Sequence, residues 1–355
     1  MSGLTPSFLI DVETEMRIVS THEYDRLNAT AIWPKIAKRV PMTGRKERLL
    51  WLLDTASIEY VNRFGSEVQF EDIISNTFEI ETKAATAGLK LNRFHLEDND
   101  GGGLQMAAHW ARQMAEYAAY WPEKQVLKGL NAGTLAASVS YDGVPYFCGA
   151  GGAGGAAGCH ALNPFDTSLG NYVNLFTGAA AAGVTPGACP VSGTDTNADL
   201  IALTRAVTFI EGQYKMPNGV DPRRLRVSGI LAPTALKGPM IRALDSKFIT
   251  SAAGGMLDPT AIVSMLGLGS PMFAPELGAG FTNGSDTAYY LIADNAVSDM
   301  VGGMSYYERE PFAIVYNGEM TDAALARANE IQWITRGRNV VTYGHPYLIF
   351  KVLAA

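Results

Sequence analysis

Apolar and polar residues alternate along Phe78-Glu-Ile-Glu-Thr82 and again along Leu89-Lys-Leu-Asn92, the period of strands exposed on one face. Both stretches lie in a proline-free run over residues 75–96. Upstream, residues 36–61 mix β-type side chains with Arg and Lys, and the charged stretch 62–72 falls between candidate strands. The pattern predicts a long hairpin with its tip region near 62–72. A two-stranded ribbon is marginal in water by itself, so a projecting hairpin is expected to lie on a neighbouring subunit. Residues up to about Ile32 show no sustained periodicity and predict an arm with at most a short helix.

The period changes after Asp98-Asn99-Asp100 and three glycines. Leu104, Ala107, Ala111, Met114, Ala118 and Trp121 recur at intervals of three and four, one stripe of an amphipathic helix. Gln105, His109, Arg112, Gln113 and Glu116 fall on the opposite side. The alanines predict close approach to a sheet. Pro122 is expected to end this helix and open a second one to about Leu130, because proline lacks the N–H that an interior position needs. Farther on, Leu200, Leu203, Val207 and Ile210 mark a helix, residues 225–231 a buried strand, and Leu236, Met240 and Leu244 a helix opened by Pro233. Strand-like pieces follow at 288–293, 311–316, 331–335 and 347–353, and the Gly/Ala-rich stretches 149–158 and 178–187 predict flexible loops. Helices on one side of a mixed sheet, in two lobes, predict an α+β fold.

Composition shifts the picture from catalysis towards association. Hydrophobic residues make up 47% of the 355 and charged residues only 18%, below the roughly 25% of ordinary soluble domains, as suits a chain that hides surface against partners. The net charge of −7 argues against wrapping DNA, which wants dense basic patches. Three cysteines, Cys148, Cys159 and Cys189, do not make a disulfide framework and are expected to be ordinary thiols from a reducing compartment. The start of the chain lacks a secretory pattern, and the apolar run from Leu49 to Leu53 is far too short to span a bilayer. A soluble protein made in the cytoplasm is expected.

No chemical motif outweighs its bland reading. Gly149-Ala-Gly151-Gly-Ala-Gly154 matches the dinucleotide fingerprint literally, but Asn163-Pro164 on its far side opposes the required helix. Cys148, Cys159 and His160 lack the four close ligands of a structural zinc. The acidic run Glu97, Asp98, Asp100 suits a helix N-terminus. Arg45, Lys46 and Arg48 form the densest basic cluster, and three charges fit a solvated or inter-subunit role better than DNA contact. Among five histidines no Ser-His-Asp set stands out. No catalytic, cofactor-binding or metal site is expected.

Several segments, in order, resemble one family. They are Ile36-Ala-Lys-Arg-Val-Pro with Trp51-Leu, Asn76-Thr-Phe-Glu79, Asn92-Arg93 and Leu96-Glu97-Asp98. Trp121-Pro-Glu-Lys-Gln-Val-Leu-Lys-Gly129, Ser140-Tyr-Asp-Gly-Val-Pro-Tyr-Phe147, His160-Ala-Leu-Asn-Pro-Phe-Asp166 and Asn174-Leu-Phe-Thr-Gly178 follow. Ala274-Pro-Glu-Leu277, Tyr290-Leu-Ile-Ala-Asp294 and Tyr307-Glu-Arg-Glu-Pro-Phe312 complete the set. Together they resemble the major head subunits of Mu-like phages (gpT-like). The chain departs from that pattern at the Gly/Ala loop after Phe147 and at Ala87-Gly88. The resemblance implies the Hong Kong 97 capsid fold and a shell subunit of a tailed bacteriophage, not an enzyme. An encapsulin-like compartment shell and, less well supported, a nucleotide-binding enzyme are the alternatives. Residues 1–45 would be an N-terminal arm and lead-in strand, 46–96 the extended loop, 97–194 with 321–355 a peripheral domain with a spine helix at 103–121, and 195–320 the axial domain. The implied partner is the chain itself, as hexamers and pentamers of an icosahedral shell in the virion, assembled in the host cytoplasm. Portal, scaffold and decoration proteins would join it. Packaged double-stranded DNA would be near but not specifically held, and no membrane is implied. Arg63, Phe64, Glu67, Phe70 and Glu71 in the loop, with Arg45, Lys46 and Arg48, are the expected assembly contacts. Some shells of this fold cross-link Lys to Asn, but no motif carries that chemistry to Lys83 or Lys90.

Overall fold

The computed structural model describes residues 6–52, 75–92, 103–149, 160–162, 170–177, 180–181, 185–186, 189–217, 219–245, 249–250, 256–257, 267–298, 302–316 and 330–353. The chain opens with helix α1 (Pro6–Asn28), strand β1 (Ala37–Pro41) and two strands of a ribbon, β2 (Lys46–Leu52) and β3 (Ser75–Glu81). Strand β4 (Lys83–Asn92) and helix α2 (Gly103–Ala132) follow, then β5 (Leu175–Phe176), α3 (Thr196–Gln213), β6 (Val227–Pro233) and α4 (Lys237–Asp245). The strands that follow are β7 (Met272–Ala274), β8 (Tyr289–Ala293), β9 (Met304–Tyr316), β10 (Glu330–Tyr343) and β11 (Ile349–Val352), with a single helical turn at Asn295–Ser298 between β8 and β9.

Two sheets carry the α+β architecture. The first has the order β1-β9-β10-β4, with β1 parallel to β9 and the other pairs antiparallel. The second has the order β7-β6-β8-β11-β5. One apolar core joins them, from Trp33, Val126 and Leu130 through Tyr306 to Ile230, Leu291 and Phe350. The strand-like pieces at 311–316 and 331–335 are parts of the much longer β9 and β10. Strand β4 runs unbroken through Ala87-Gly88 because each residue is registered against β10, Ala87 opposite Thr335 and Gly88 opposite Ile334. Within the second Gly/Ala stretch, Ala180–Ala181 pairs with Thr185–Pro186, so that segment holds a short hairpin rather than only loop.

Three expectations need correction. The arm carries a helix of 23 residues, not a short one. Its inward face runs through Met16, Val19, Ser20, Glu23, Tyr24 and Leu27, at helical spacing but with polar members, which erases the hydropathy period. Secondly, Pro122 does not divide the long helix: α2 continues through it for 30 residues. Flanking contacts offset the lost bond. Trp121 Nε1 donates to Asn339 Oδ1 (2.9 Å), Glu123 Oε2 accepts from Ile32 N–H (2.8 Å), and Val126, Leu127 and Leu130 are fully buried. Burial pushes the Glu123 carboxyl above its ordinary range, against the Ile32 and Trp33 amides that favour its charged form. Thirdly, Cys148 is disulfide-bonded, while Cys189 is a buried free thiol.

Of the predicted stripe of α2, Ala111 and Ala118 are buried and Met114 and Trp121 half-buried, while the side chains of Leu104 and Ala107 lie outside the described ones. Ala115 and Ala119 are buried as well, and Gln105, His109, Arg112, Gln113 and Glu116 are exposed as expected. Small residues bring the helix close to the first sheet. A Cβ on Gly129 would stand 2.7 Å from Met304 Cε, and the Gly129 carbonyl accepts from Tyr343 O–H (2.8 Å).

Candidate assembly surface

The ribbon is built from the base upward. Lys46 lies opposite Glu81, Arg48 opposite Glu79 and Leu52 opposite Ser75. Beyond this pairing β2 and β3 have no further strand partner among the described residues. The ribbon is anchored where it leaves the first sheet. Met42, Ile80 and Tyr307 form a small separate core under Val40 and Val340, with Ile80 only 2% exposed. Met42 N–H donates to the Glu308 carbonyl (2.8 Å) and Thr82 N–H to the Arg45 carbonyl (3.0 Å). Alternation read from sequence placed Ile80 inward and Glu79 outward, and the structure agrees.

Arg45 and Lys46, expected to meet a neighbour, close ion pairs within the ribbon. Arg45 contacts Glu81 at 2.7 Å and Lys46 contacts Glu79 at 2.6 Å. The hydrogen bond to Glu79 raises the Lys46 ammonium above its ordinary value. All four side chains are well exposed, and solvent screening leaves such pairs little net contribution to stability. They steady the register while leaving charge on the surface. Arg48 takes its register position on β2; Arg63, Phe64, Glu67, Phe70 and Glu71 lie outside the described residues, as do Glu97, Asp98, Asp100 and most of the glycine fingerprint.

The arm helix and α2 make the second part of the surface. They pack side by side and, with β9 and β10, border an open cavity of about 470 Å³ lined by Arg17, Tyr24, Met114, Ala118, Phe312 and Thr335. On the outer side Tyr117 is 66% and Met106 64% exposed, with Ile18 of α1 at 65%.

A buried polar knot holds the region between α2 and the second sheet. Asp142 Oδ2 lies 2.6 Å from His160 Nδ1, and His160 Nε2 faces the Tyr146 carbonyl at 3.2 Å. Asn174 Nδ2 donates to the carbonyls of Tyr146 (2.6 Å) and Pro346 (2.9 Å), and its Oδ1 accepts from Cys148 N–H (3.0 Å). Tyr146 O–H donates to the Gly303 carbonyl (2.7 Å). Both ring nitrogens of His160 are therefore occupied by the fold, which leaves no position for a nucleophile beside this Asp–His pair. Sequence reading singled out the two segments that meet here, around Asp142 and around His160 and Asn174, but not that they meet. Among the described residues no group of three or more His, Cys, Asp or Glu could hold a metal ion, and no helix is long and apolar enough to cross a membrane.

Residues 14–153 match the family model Mu-like gpT, described as the Mu-like prophage major head subunit gpT. That span takes in most of α1, the ribbon, α2 and the turn carrying Asp142. No curated protein matches the chain. Among solved structures, the procapsid of bacteriophage JBD30 aligns over 99% of this chain and 77% of its own at 15% identity and a TM-score of 0.46. The capsid of cyanophage P-SCSP1u aligns over 92% and 88% at 10% identity and 0.49. The virus-like particle from Pyrococcus furiosus aligns over 96% and 98% at 8% identity and 0.48.

Proposed function

We propose that this chain is a major head subunit of the Mu-like kind, which assembles with copies of itself into the hexamers and pentamers of an icosahedral shell around double-stranded DNA. The observation that carries the reading is the family match over residues 14–153, the span that contains most of the arm helix, the ribbon and the long helix. In this reading the fold is of the Hong Kong 97 type. Residues 1–45 are the arm and lead-in strand, 46–96 the extended loop, 97–194 with 321–355 the peripheral domain and 195–320 the axial domain.

The physical features support a structural role. The ribbon has no further strand partner among the described residues, and only its base is anchored. Each contact need be only moderate, because a closed shell repeats it many times and weak single steps let misplaced subunits leave. The net charge of −7 limits the grip of the shell on packaged DNA, since few cations are available to release counterions. Portal, scaffold and decoration proteins are the further partners of such a shell, the virion is its site, and assembly takes place in the host cytoplasm.

Negative-stain microscopy of the purified full chain tests the proposal. Closed particles of uniform size are expected. A chain that remains monomeric at high concentration, with a nucleotide-induced thermal shift, would instead point to an enzyme.

A further inference from the structure

We infer that the cleft between α2 and the β4 edge of the first sheet is a receptor for a carboxylate side chain of a second copy of this chain. The inference rests on the self-assembly proposed above and adds the chemistry of one contact.

The cleft has a volume of about 290 Å³. One wall is the α2 stripe Trp121, Gln125, Lys128 and Ala132, spaced four, three and four; the other is Lys83 and Ala85 of β4 with Asn339 and Val341 of β10. Lys83 stands directly opposite Asn339 in the antiparallel register, so the two side chains share a face. Small residues make the space, Ala85 on the strand and Gly129 and Ala132 on the helix.

Three donor groups here have spare capacity. Asn339 is 5% exposed and its Oδ1 is taken by Trp121 Nε1–H, which fixes the amide with Nδ2 left over. That Nδ2 is buried and has no acceptor among the described residues. Lys83 and Lys128, both exposed, flank the cleft, and among the described residues neither meets a carboxylate, unlike Arg45 and Lys46 nearby. Two exposed ammonium groups at the mouth, over a buried amide donor that the fold leaves unmet, favour a carboxylate at this cleft.

A second copy is the occupant the chain itself favours. It carries 35 acidic side chains against 28 basic ones, so carboxylates are in excess on its surface. The cleft also opens beside β4, the last strand of its sheet, whose outer edge pairs with no described strand. A free edge of this kind is where another chain comes to lie.

Carbodiimide coupling, which joins an amine to a touching carboxylate, tests this on particles assembled from mixed ¹⁵N-labelled and unlabelled chains. Mass spectrometry should find Lys83 or Lys128 joined to Asp or Glu of the other isotopic copy. Particles in which both lysines stay uncoupled, or couple only within one copy, overturn this inference alone. A chain that stays monomeric overturns it together with the assembly reading. As a second measurement, Lys83→Glu with Lys128→Glu should slow assembly by about tenfold or more through like-charge contact, while Lys83→Arg with Lys128→Arg assembles near the original rate. Unchanged assembly of the double Glu variant also overturns it.

Discussion

Asp142 and His160 meet at 2.6 Å, the histidine fully buried and the carboxylate nearly so, and they tie together two segments 18 residues apart in the chain. With Asn174 they close the turn around Tyr146 onto the second sheet. Removing one member of a buried pair leaves the other polar group without its partner, at about 3–5 kcal/mol. Asp142→Ala is therefore expected to lower the stability of the soluble subunit by roughly 3 kcal/mol in denaturant titration. A loss below about 1 kcal/mol would mean that the pair is ornamental to the fold.

His345 makes stability depend on pH. Burial, and secondarily the nearby Arg223 guanidinium, pushes its pKa down from 6.5 to about 3. Tyr141 and Tyr347 pack against its ring. The unfolded chain then binds a proton that the folded chain refuses, so stability is full above about 6.5 and falls as pH drops towards 3. The melting temperature should decline over that window, and the His345→Gln variant should decline less steeply. Parallel curves for the two proteins would remove His345 as the cause.

Pro122 sits inside a continuous helix, where proline is intrinsically about 3 kcal/mol worse than alanine. Its side chain is buried, so replacement also loses packing. The balance predicts that Pro122→Ala keeps the helix and raises stability by about 1 kcal/mol. Thermal unfolding followed by circular dichroism reads both quantities. A clear destabilisation would show that the ring packs better than its backbone cost.

The base of the ribbon is held by packing rather than by charge. Ile80→Ala, which empties part of the core it shares with Met42 and Tyr307, should cost about 2–4 kcal/mol. Lys46→Ala should cost far less, because its ion pairs lie in solvent. Hydrogen exchange over residues 46–52 and 75–81 should rise sharply in the first variant and little in the second. The reverse order would place the anchor in the ion pairs.

Because Leu52 stands opposite Ser75, residues 53–74 can be replaced by Asn-Gly, a two-residue hairpin turn. This removes Arg63, Phe64, Glu67, Phe70 and Glu71 and leaves β2 and β3 paired. The variant should fold, with unchanged circular dichroism, yet form no shells by sedimentation. Normal shells would dismiss the ribbon tip as an assembly contact.

The division between what was legible in the chain and what was not follows the range of the forces. Alternation at Phe78–Thr82, the Ala111–Ala118 spacing and the Leu200–Ile210 stripe are short-range periodicities that burial imposes on neighbouring residues, so strands, helices and the α+β class could be read directly. The arm helix could not, because the half-exposed polar residues Ser20 and Glu23 lie on its inward face, and which face turns inward is decided by α2 across from it. Nor could the passage of α2 through Pro122, which depends on Asn339 and Ile32, remote in sequence. The same holds for function. Motif order pointed to the head-subunit family, and the match over residues 14–153 agrees. The knot of Asp142, His160 and Asn174 exists only once those segments meet beside the second sheet, and the donor cleft of Lys83, Lys128 and Asn339 only once β4, α2 and β10 are side by side. Local pattern determines which elements form; the pairing of distant polar groups, for which a linear chain carries no periodic signal, is settled by tertiary packing alone.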